Sequence, residues 1–326
     1  METNDNTMLV ADQEDSMITK AYQPDVEEPK VKPGHKAGFV NIVGNPNVGK
    51  STLMNDLVGE RLSIITQKAQ TTRHRIMGIV NTDDYQIVFS DTPGVLKPKY
   101  KLQESMRDFS EGALTDADIL IYVTDVVEDT EKNKDFLDRV AQENIPVLVV
   151  VNKIDLLKNQ DELTAIVDKW HERLPKAEIF PTSALEHFNV DNLKGRIIEL
   201  LPESAPFFGK DALTDKPARF FVTEIIREKL LLQYDKEIPY STEVIVEKFD
   251  EKEGAIHIMA VIYVERDSQK GIIIGKGGEK IKKVGMAARA DIEKFFGKKV
   301  FLEMFVKVEK DWRNRENKLR EFGYRE

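Results

Sequence analysis

The feature that most constrains the fold is a glycine-rich segment between an apolar run and a helix-forming stretch. Residues 44–51 read GNPNVGKS and match G-x-x-x-x-G-K-[ST] at every fixed position. The run GFVNIVG precedes this segment, and a helix is predicted to begin near Lys50. Glycines let backbone N–H groups wrap around a phosphate, and the N-terminus of the following helix adds partial positive charge. The pattern therefore predicts a strand–loop–helix unit that binds phosphate.

All eight residues of this loop are candidates for contacting a nucleotide. In such a loop the lysine, Lys50, neutralises the β- and γ-phosphates, and the hydroxyl of Ser51 ligates magnesium. The loop residues expected to line the site are Gly44, Asn45, Pro46, Asn47, Val48, Gly49, Lys50 and Ser51.

The remaining apolar runs indicate how the chain is organised. Runs at 85–90, 118–124, 146–152 and 178–183 are rich in Val and Ile, and helix-like stretches separate most of them. Such continuous runs are typical of a sheet that is buried on both faces. We therefore predict an α/β P-loop domain with a mainly parallel sheet over residues 37–201, ending in a helix near 191–200.

A second domain is expected after a linker. Residues 202–217 contain three prolines and a glycine, which is typical of a connection between domains. Residues 218–326 then show the order helix–strand–strand–loop–helix–strand, followed by a charged C-terminal helix. This order predicts an α+β domain.

Composition and charge limit the function classes. A length of 326 residues suits two domains, and the absence of cysteine excludes disulfides and cysteine metal sites. The acidic segment 1–36 is predicted to be a disordered tail; the plainer alternative is a dispensable extension. It does not resemble a signal peptide, and no apolar run approaches the roughly 18 residues of a membrane span. These features predict a cytoplasmic protein.

A four-residue motif at the end of the 146–152 strand selects the base. Asn152, Lys153, Ile154 and Asp155 read NKID. A carboxylate at Asp155 can accept hydrogen bonds from the ring N–H and exocyclic amine of guanine, whereas adenine has no such donor pair. Asn152 could tie the segment to the phosphate loop. After the next strand come Thr182, Ser183 and Ala184, and the N–H of Ala184 could meet the guanine oxygen. The ligand is therefore predicted to be GTP or GDP.

Two further segments are placed to handle magnesium and the γ-phosphate. Strand 85–90 is followed by Asp91, Thr92, Pro93 and Gly94. Asp91 is expected to hold magnesium through water, and the Gly94 N–H to reach the γ-phosphate. Between this segment and the phosphate loop, 68–73 supplies a threonine that completes the magnesium shell; we favour Thr72 over Thr71, with an ordinary polar loop as the alternative. Lys50, Thr72 and Gly94 are thus the candidate catalytic residues, and Ser51, Thr72 and Asp91 the candidate metal ligands.

The motif order GxxxxGKS, TTR, DTPG, NKID and TSA resembles the translation-factor-related class of small GTPases. The phrase KAQTTRHRIMGI resembles the Era subfamily in particular. Val95 departs from Ras-like enzymes, which carry a water-orienting glutamine at this position, and valine cannot form that hydrogen bond. In related GTPases the loop asparagine helps to bind potassium. The resemblance therefore implies potassium near Asn47, with a loop-stabilising role as the alternative.

The second domain carries a loop that is similar to the nucleic-acid clamp of KH domains. Gly275, Lys276, Gly277 and Gly278 have the GXXG form. Residues 266–299 hold 10 basic and 4 acidic residues, although the whole chain has a net charge of −9. This concentration favours RNA binding by the loop together with Lys280, Lys282 and Lys283; a solvated helix face is the alternative for each lysine.

A GTPase domain followed by a type II KH domain is the arrangement of Era, and the resemblance extends over residues 37–326. It implies a monomeric GTPase that binds small-subunit ribosomal RNA near its 3′ end and assists assembly of the small ribosomal subunit. It also leaves two locations open: free in the cytoplasm, or peripherally associated with the inner face of the cell membrane. The alternatives are a nucleotide-gated scaffold with negligible turnover and a tRNA-modification GTPase. The linker 202–217 is the expected place for contacts that depend on GTP.

Overall fold

Two β-sheets organise the chain in a computed structural model that describes residues 32–129 and 132–325. Residues 1–31 of the predicted disordered tail, 1–36, lie outside the described residues. The first strand begins at Lys36, one residue before the predicted start of the domain.

The first sheet has six strands in the order β2-β3-β1-β4-β5-β6. The strands are β1 Lys36–Gly44, β2 Ile76–Asn81, β3 Tyr85–Asp91, β4 Ile119–Asp125, β5 Val147–Asn152 and β6 Glu178–Pro181. The helices of this part are α1 Lys50–Val58, α2 Lys101–Thr115, α3 Lys134–Gln142, α4 Gln160–Arg173 and α5 Val190–Leu200. Only β2 runs antiparallel to its neighbour, so the prediction of a mainly parallel sheet is confirmed.

The apolar runs form this sheet because both of its faces are buried. Every residue of β4 is buried, and its side chains alternate between two hydrophobic clusters. One cluster includes Leu53 of α1 and Leu193 of α5, and the other includes Leu137 of α3 and Trp170 of α4. Parallel strands covered by helices on both sides place their carboxyl ends along one edge, where the predicted motifs lie.

The second sheet has three strands in the order β7-β8-β9. The elements are α6 Ala218–Gln233, α7 Ile238–Ser241, β7 Glu243–Lys252, β8 Ala255–Val264, α8 Asp267–Ile274, α9 Glu279–Phe296, β9 Lys299–Val308 and α10 Glu316–Glu321. Strand β8 pairs antiparallel with β7 and parallel with β9. Helices α6 and α9 cover one face with a shared apolar core, which includes Val222 and Ile292. The predicted α+β order is confirmed, with α8 as an element that the sequence did not reveal.

The linker and the last described segment both pack on the first domain. The N–H of Ile79 in β2 donates to the carbonyl of Leu213 at 2.8 Å, so the linker lies along the sheet edge. Trp312, Leu319 and Phe322 pack against Leu102 and Met106 of α2 in a fourth apolar cluster. Within the described ranges, no helix combines the length and apolar character needed to cross a bilayer.

Candidate functional site

The phosphate loop connects the end of β1 to the start of α1 and lines a cleft of about 730 Å³. Gly49 has φ +99°, and a Cβ at this position would lie 2.1 Å from Asn152 Nδ2. Only glycine can therefore occupy this point of the loop. The cleft is also lined by Pro46, Asn47 and Gly94, so it joins the phosphate loop to the DTPG segment.

Lys50 is a buried cation at the base of this cleft. It is 6% exposed, and its Nζ donates to the carbonyls of Gly44 at 3.1 Å and Asn45 at 2.8 Å. Burial lowers the pKa of Lys50 to about 8, and the charge of Asp91 acts in the opposite direction. An anion bound here would restore the charged form, so this lysine fits a phosphate ligand.

Three oxygen-bearing side chains converge beside the lysine. Ser51 Oγ lies 2.7 Å from Asp91 Oδ2 and 2.9 Å from Thr72 Oγ1, and Thr72 Oγ1 lies 3.3 Å from Asp91 Oδ2. Asp91 is fully buried, and its Oδ1 has no hydrogen-bond partner among the described residues. Burial raises the pKa of Asp91, whereas Lys50 lowers it. A carboxylate and hydroxyls in this arrangement fit magnesium, which prefers oxygen ligands.

The two threonines that the sequence left open differ in their surroundings. The hydroxyl of Thr71 donates to the carbonyl of Lys68 at 2.6 Å and contacts Thr66 Oγ1 at 2.6 Å. It is therefore engaged within its own loop, whereas Thr72 faces Ser51 and Asp91. The geometry favours Thr72 as the magnesium ligand.

The NKID and TSA segments meet at the far end of the cleft. Asn152 Nδ2 donates to the carbonyl of Val48 at 2.9 Å, which is the predicted tie to the phosphate loop. Ser183 Oγ donates to Asp155 Oδ1 at 2.5 Å and so orients the candidate guanine acceptor. Lys153 Nζ donates to the Asn47 carbonyl at 2.6 Å and to Asp125 at 2.7 Å, which places its stem along the cleft.

Several predicted contacts have a different role in the structure. The Ala184 N–H, which we expected to meet the guanine oxygen, donates to Asn152 Oδ1 at 3.0 Å. The hydroxyls of Thr92 and Thr182 are buried and donate to the carbonyls of Ile42 at 2.8 Å and Phe180 at 3.0 Å. These threonines therefore hold the loops in place and do not present their side chains to a ligand.

The backbone groups of the remaining predicted residues form hydrogen bonds within the protein. The Val95 N–H donates to the Gly44 carbonyl at 3.1 Å, and the Ile154 N–H donates to the Thr182 carbonyl at 3.3 Å. The Pro93 carbonyl accepts from Ser110 Oγ at 2.7 Å. Sequence reasoning missed five apolar residues that line the cleft, namely Ile64, Ile65, Leu156, Leu185 and Leu232. Of these, Leu232 comes from α6, so the second domain reaches the nucleotide cleft, and no local signal in the sequence indicated this.

The GXXG loop lies between α8 and α9 and faces solvent. Gly277 and Gly278 have φ of +62° and +80°, and a Cβ on either would meet no atom within 4 Å. The exposed lysines of the loop and of the first turns of α9 make no ion pair within the described part of the chain: Lys276, Lys280, Lys282 and Lys283. Ile272 and Met286, which the sequence reading did not single out, are 43% and 57% exposed. Charge beside exposed apolar side chains suits a single-stranded nucleic acid.

Comparisons with known proteins cover both sites. Residues 39–153 match the 50S ribosome-binding GTPase family, and residues 237–313 match the KH domain family. One similar structure is Era in complex with MgGDPNP and nucleotides 1506–1542 of 16S ribosomal RNA, with 39% identity and a TM-score of 0.85. Another is a variant of Aquifex aeolicus Era bound to GDP·AlF4−, with 40% identity and a TM-score of 0.84. Each alignment covers 89% of this chain and 99% of the other.

Proposed function

The chain belongs to the Era family of GTPases, and from this premise we propose that it hydrolyses GTP and binds small-subunit ribosomal RNA near its 3′ end. We further propose that it assists assembly of the small ribosomal subunit. The observation that carries the proposal is the presence in one chain of a guanine-nucleotide cleft and a basic GXXG loop. A related protein that matches nearly the whole chain has been seen with a GTP analogue and with 16S ribosomal RNA.

Different residues of the cleft would bind different parts of the nucleotide. The loop N–H groups and Lys50 bind the phosphates, and Asp155 accepts from the guanine edge. Ser51 and Thr72 would hold magnesium directly, and Asp91 through water. The bound ion would neutralise charge on the β- and γ-phosphates. Gly94 lines the same cleft, which supports the proposal that its N–H donates to the γ-phosphate.

Hydrolysis in this site depends on groups other than a glutamine. The buried side chain of Val95 has no hydrogen-bonding group, and its backbone N–H is already bonded to the Gly44 carbonyl, so Val95 cannot donate to water. We propose that potassium supplies the missing positive charge and that Asn47 helps to bind it. Asn47 is exposed at the cleft with φ +67°, so its side chain can reach a ligand there.

Single-turnover hydrolysis in potassium or sodium buffer tests this step. We expect potassium to raise the rate and Asn47→Ala to remove the increase while GDP affinity stays the same. Equal rates in both salts, with and without small-subunit RNA, would instead favour a nucleotide-gated scaffold with negligible turnover.

The RNA assignment is tested by crosslinking the whole protein to cellular RNA in its GTP-analogue and GDP states. Sequencing of the bound fragments should recover the 3′ end of small-subunit ribosomal RNA. Recovery of fragments dominated by transfer RNA would support the alternative of a tRNA-modification GTPase.

We also propose a domain division and a location for the protein. Residues 37–201 form the GTP-binding domain, 202–217 the linker and 218–326 the RNA-binding domain. The protein acts as a cytoplasmic monomer. Peripheral association with the membrane stays a prediction that only the basic patch around the GXXG loop favours.

A further inference from the structure

The residues on both sides of Thr72 are held by the second domain. Thr72 itself contacts Ser51 and Asp91 through its hydroxyl, at 2.9 and 3.3 Å. Its backbone belongs to the loop between α1 and β2, which the sequence shows only as a polar segment. What fixes this loop therefore decides whether Thr72 can reach the magnesium site.

On the preceding side, Arg227 of α6 holds the loop backbone. Its guanidinium donates to the carbonyl of Thr71, and Nη1 lies 3.4 Å from the carbonyl of Gln70. Arg227 is 1% exposed, and its Nε donates to Glu224 Oε1 at 2.8 Å. Because the planar guanidinium is locked by this pair, it presents its remaining N–H groups in a fixed direction.

On the following side, Arg73 is inserted into the second domain. It is fully buried, and its Nη1 donates to Glu243 Oε2 at 3.0 Å and to the Thr242 carbonyl at 2.7 Å. Glu243 is 2% exposed. A buried pair of this kind is stable only while both partners stay in place, because an unpaired buried charge is strongly unfavourable.

The segment 312–325 completes this buried pair. The hydroxyl of Tyr324 donates to Glu243 Oε2 at 2.6 Å. The Tyr324 ring stacks on His74, the residue after Arg73, with the ring centroids 4.3 Å apart. The segment is anchored by Trp312, which is fully buried and donates to the Ser241 carbonyl at 3.0 Å.

We propose that Arg73, Glu243 and Tyr324 form a positioning cluster through which segment 312–325 holds Thr72 at the magnesium site. The inference rests on the proposed GTPase function and on Thr72 as a ligand in the GTP state. None of the three residues lines the cleft, so they act through the loop backbone. Loosening the cluster should weaken GTP binding and slow hydrolysis. GDP binding should not change, because GDP has no γ-phosphate and Thr72 acts as a ligand only in the GTP state.

Tyr324→Phe tests the cluster because it keeps the stacked ring and removes only the hydroxyl. Loss of a hydrogen bond to a charged acceptor corresponds to about a 10- to 100-fold change in an equilibrium. In the full-length protein we expect the affinity for a non-hydrolysable GTP analogue relative to GDP to fall about tenfold, with GDP affinity unchanged. Amide hydrogen exchange over residues 66–73 should become faster.

Tyr234→Phe is the matched control. The Tyr234 hydroxyl is also buried and donates to the Ile273 carbonyl at 2.7 Å, inside the second domain. Its removal should leave the GTP-to-GDP affinity ratio unchanged. If Tyr324→Phe does not fold, Arg73→Lys provides the same test, because it keeps the charge and loses the guanidinium fork.

A double-mutant cycle with Thr72→Ala separates this inference from the proposed function. If Tyr324 acts through Thr72, Tyr324→Phe should have no further effect on the affinity ratio in the Thr72→Ala background. An undiminished effect there, or an equal loss of GTP and GDP affinity in the single variant, would overturn the positioning cluster. If Thr72→Ala alone leaves the ratio unchanged, the assignment of Thr72 in the proposed function fails instead.

Discussion

Replacing Gly277 by Asp should separate RNA binding from nucleotide binding. Gly277 has φ +62°, and a Cβ there meets no atom within 4 Å, so the only folding penalty is the left-handed conformation. That penalty is about 1–2 kcal/mol for an L-residue and lower for Asp. A typical domain is stable by about 5–15 kcal/mol, so the variant should fold.

The effect on RNA follows from charge. A carboxylate about 5 Å from a phosphate is repelled by roughly 1 kcal/mol in water and roughly 3 kcal/mol at an effective dielectric constant of about 20. Gly277→Asp should therefore weaken RNA binding by roughly 5- to 150-fold, and adding Gly278→Asp should abolish measurable binding. Higher salt should reduce the difference between variant and wild type, because the repulsion is screened.

Gly254→Asp is the control for this prediction. Gly254 has φ +85° in the turn between β7 and β8, and a Cβ there also meets nothing within 4 Å. The control thus adds the same charge and the same strain to the same domain, away from the loop. Fluorescence anisotropy with labelled RNA from the small-subunit 3′ end would measure the RNA affinity. Titration with GDP would show whether nucleotide binding in the cleft is unchanged. Equal losses in the Gly277 and Gly254 variants would refute the assignment of the loop as the clamp.

Two further predictions concern the nucleotide cleft. Asp155→Asn should weaken GDP binding about 100-fold and shift the preference to xanthine nucleotides, because the new amide donor faces the guanine N–H groups. Competition between GDP and XDP for the variant measures this preference. An unchanged preference for guanine would contradict the base assignment. The pKa of Lys50 is about 8 without ligand, whereas a phosphate keeps Lys50 protonated, so GDP affinity should fall by up to about tenfold per pH unit above 8. Calorimetry in buffers of different ionisation enthalpy should detect proton uptake on binding near pH 8.5, and the absence of uptake would argue against a depressed pKa.

The nucleotide motifs could be predicted from the sequence because their chemistry is local. The phosphate loop needs a strand, glycines and a helix start within a short stretch, and all three are visible between Gly38 and Ser51. The strand ends that carry Asp91 and Asn152 followed from apolar runs that are buried on both faces. The hydrogen-bond partners of Ala184, Thr92 and Thr182 could not be predicted, because donors within the protein compete with the ligand for the same groups.

Two of the elements that the sequence did not reveal, β2 and α8, have only weak local signals. Strand β2 is a short edge strand that contains Gly78 and is only partly buried, so its alternation is weak. It is stabilised by pairing with β3 and with the linker, which lies more than 130 residues away. Helix α8 has Arg266 as its N-cap, where a short polar residue is the usual marker. The sign that was present is Gln269, whose side chain accepts from the Arg266 N–H at 3.1 Å.

The linker 202–217, the expected place for GTP-dependent contacts, supplies no residue to the nucleotide cleft. The linker makes hydrogen bonds to the edge strand β2, which does not line the nucleotide cleft. The second domain instead reaches the cleft directly through Leu232, and it holds the residues that flank Thr72. In the sequence Arg73 looks like one more loop cation, and its partner Glu243 lies 170 residues further along, so no local pattern could pair them. Because coupling between two sites is reciprocal, a loop held by the second domain must also transmit the nucleotide state back to that domain. The proposed positioning cluster would therefore couple the nucleotide state to the second domain through Thr72 and not through the linker.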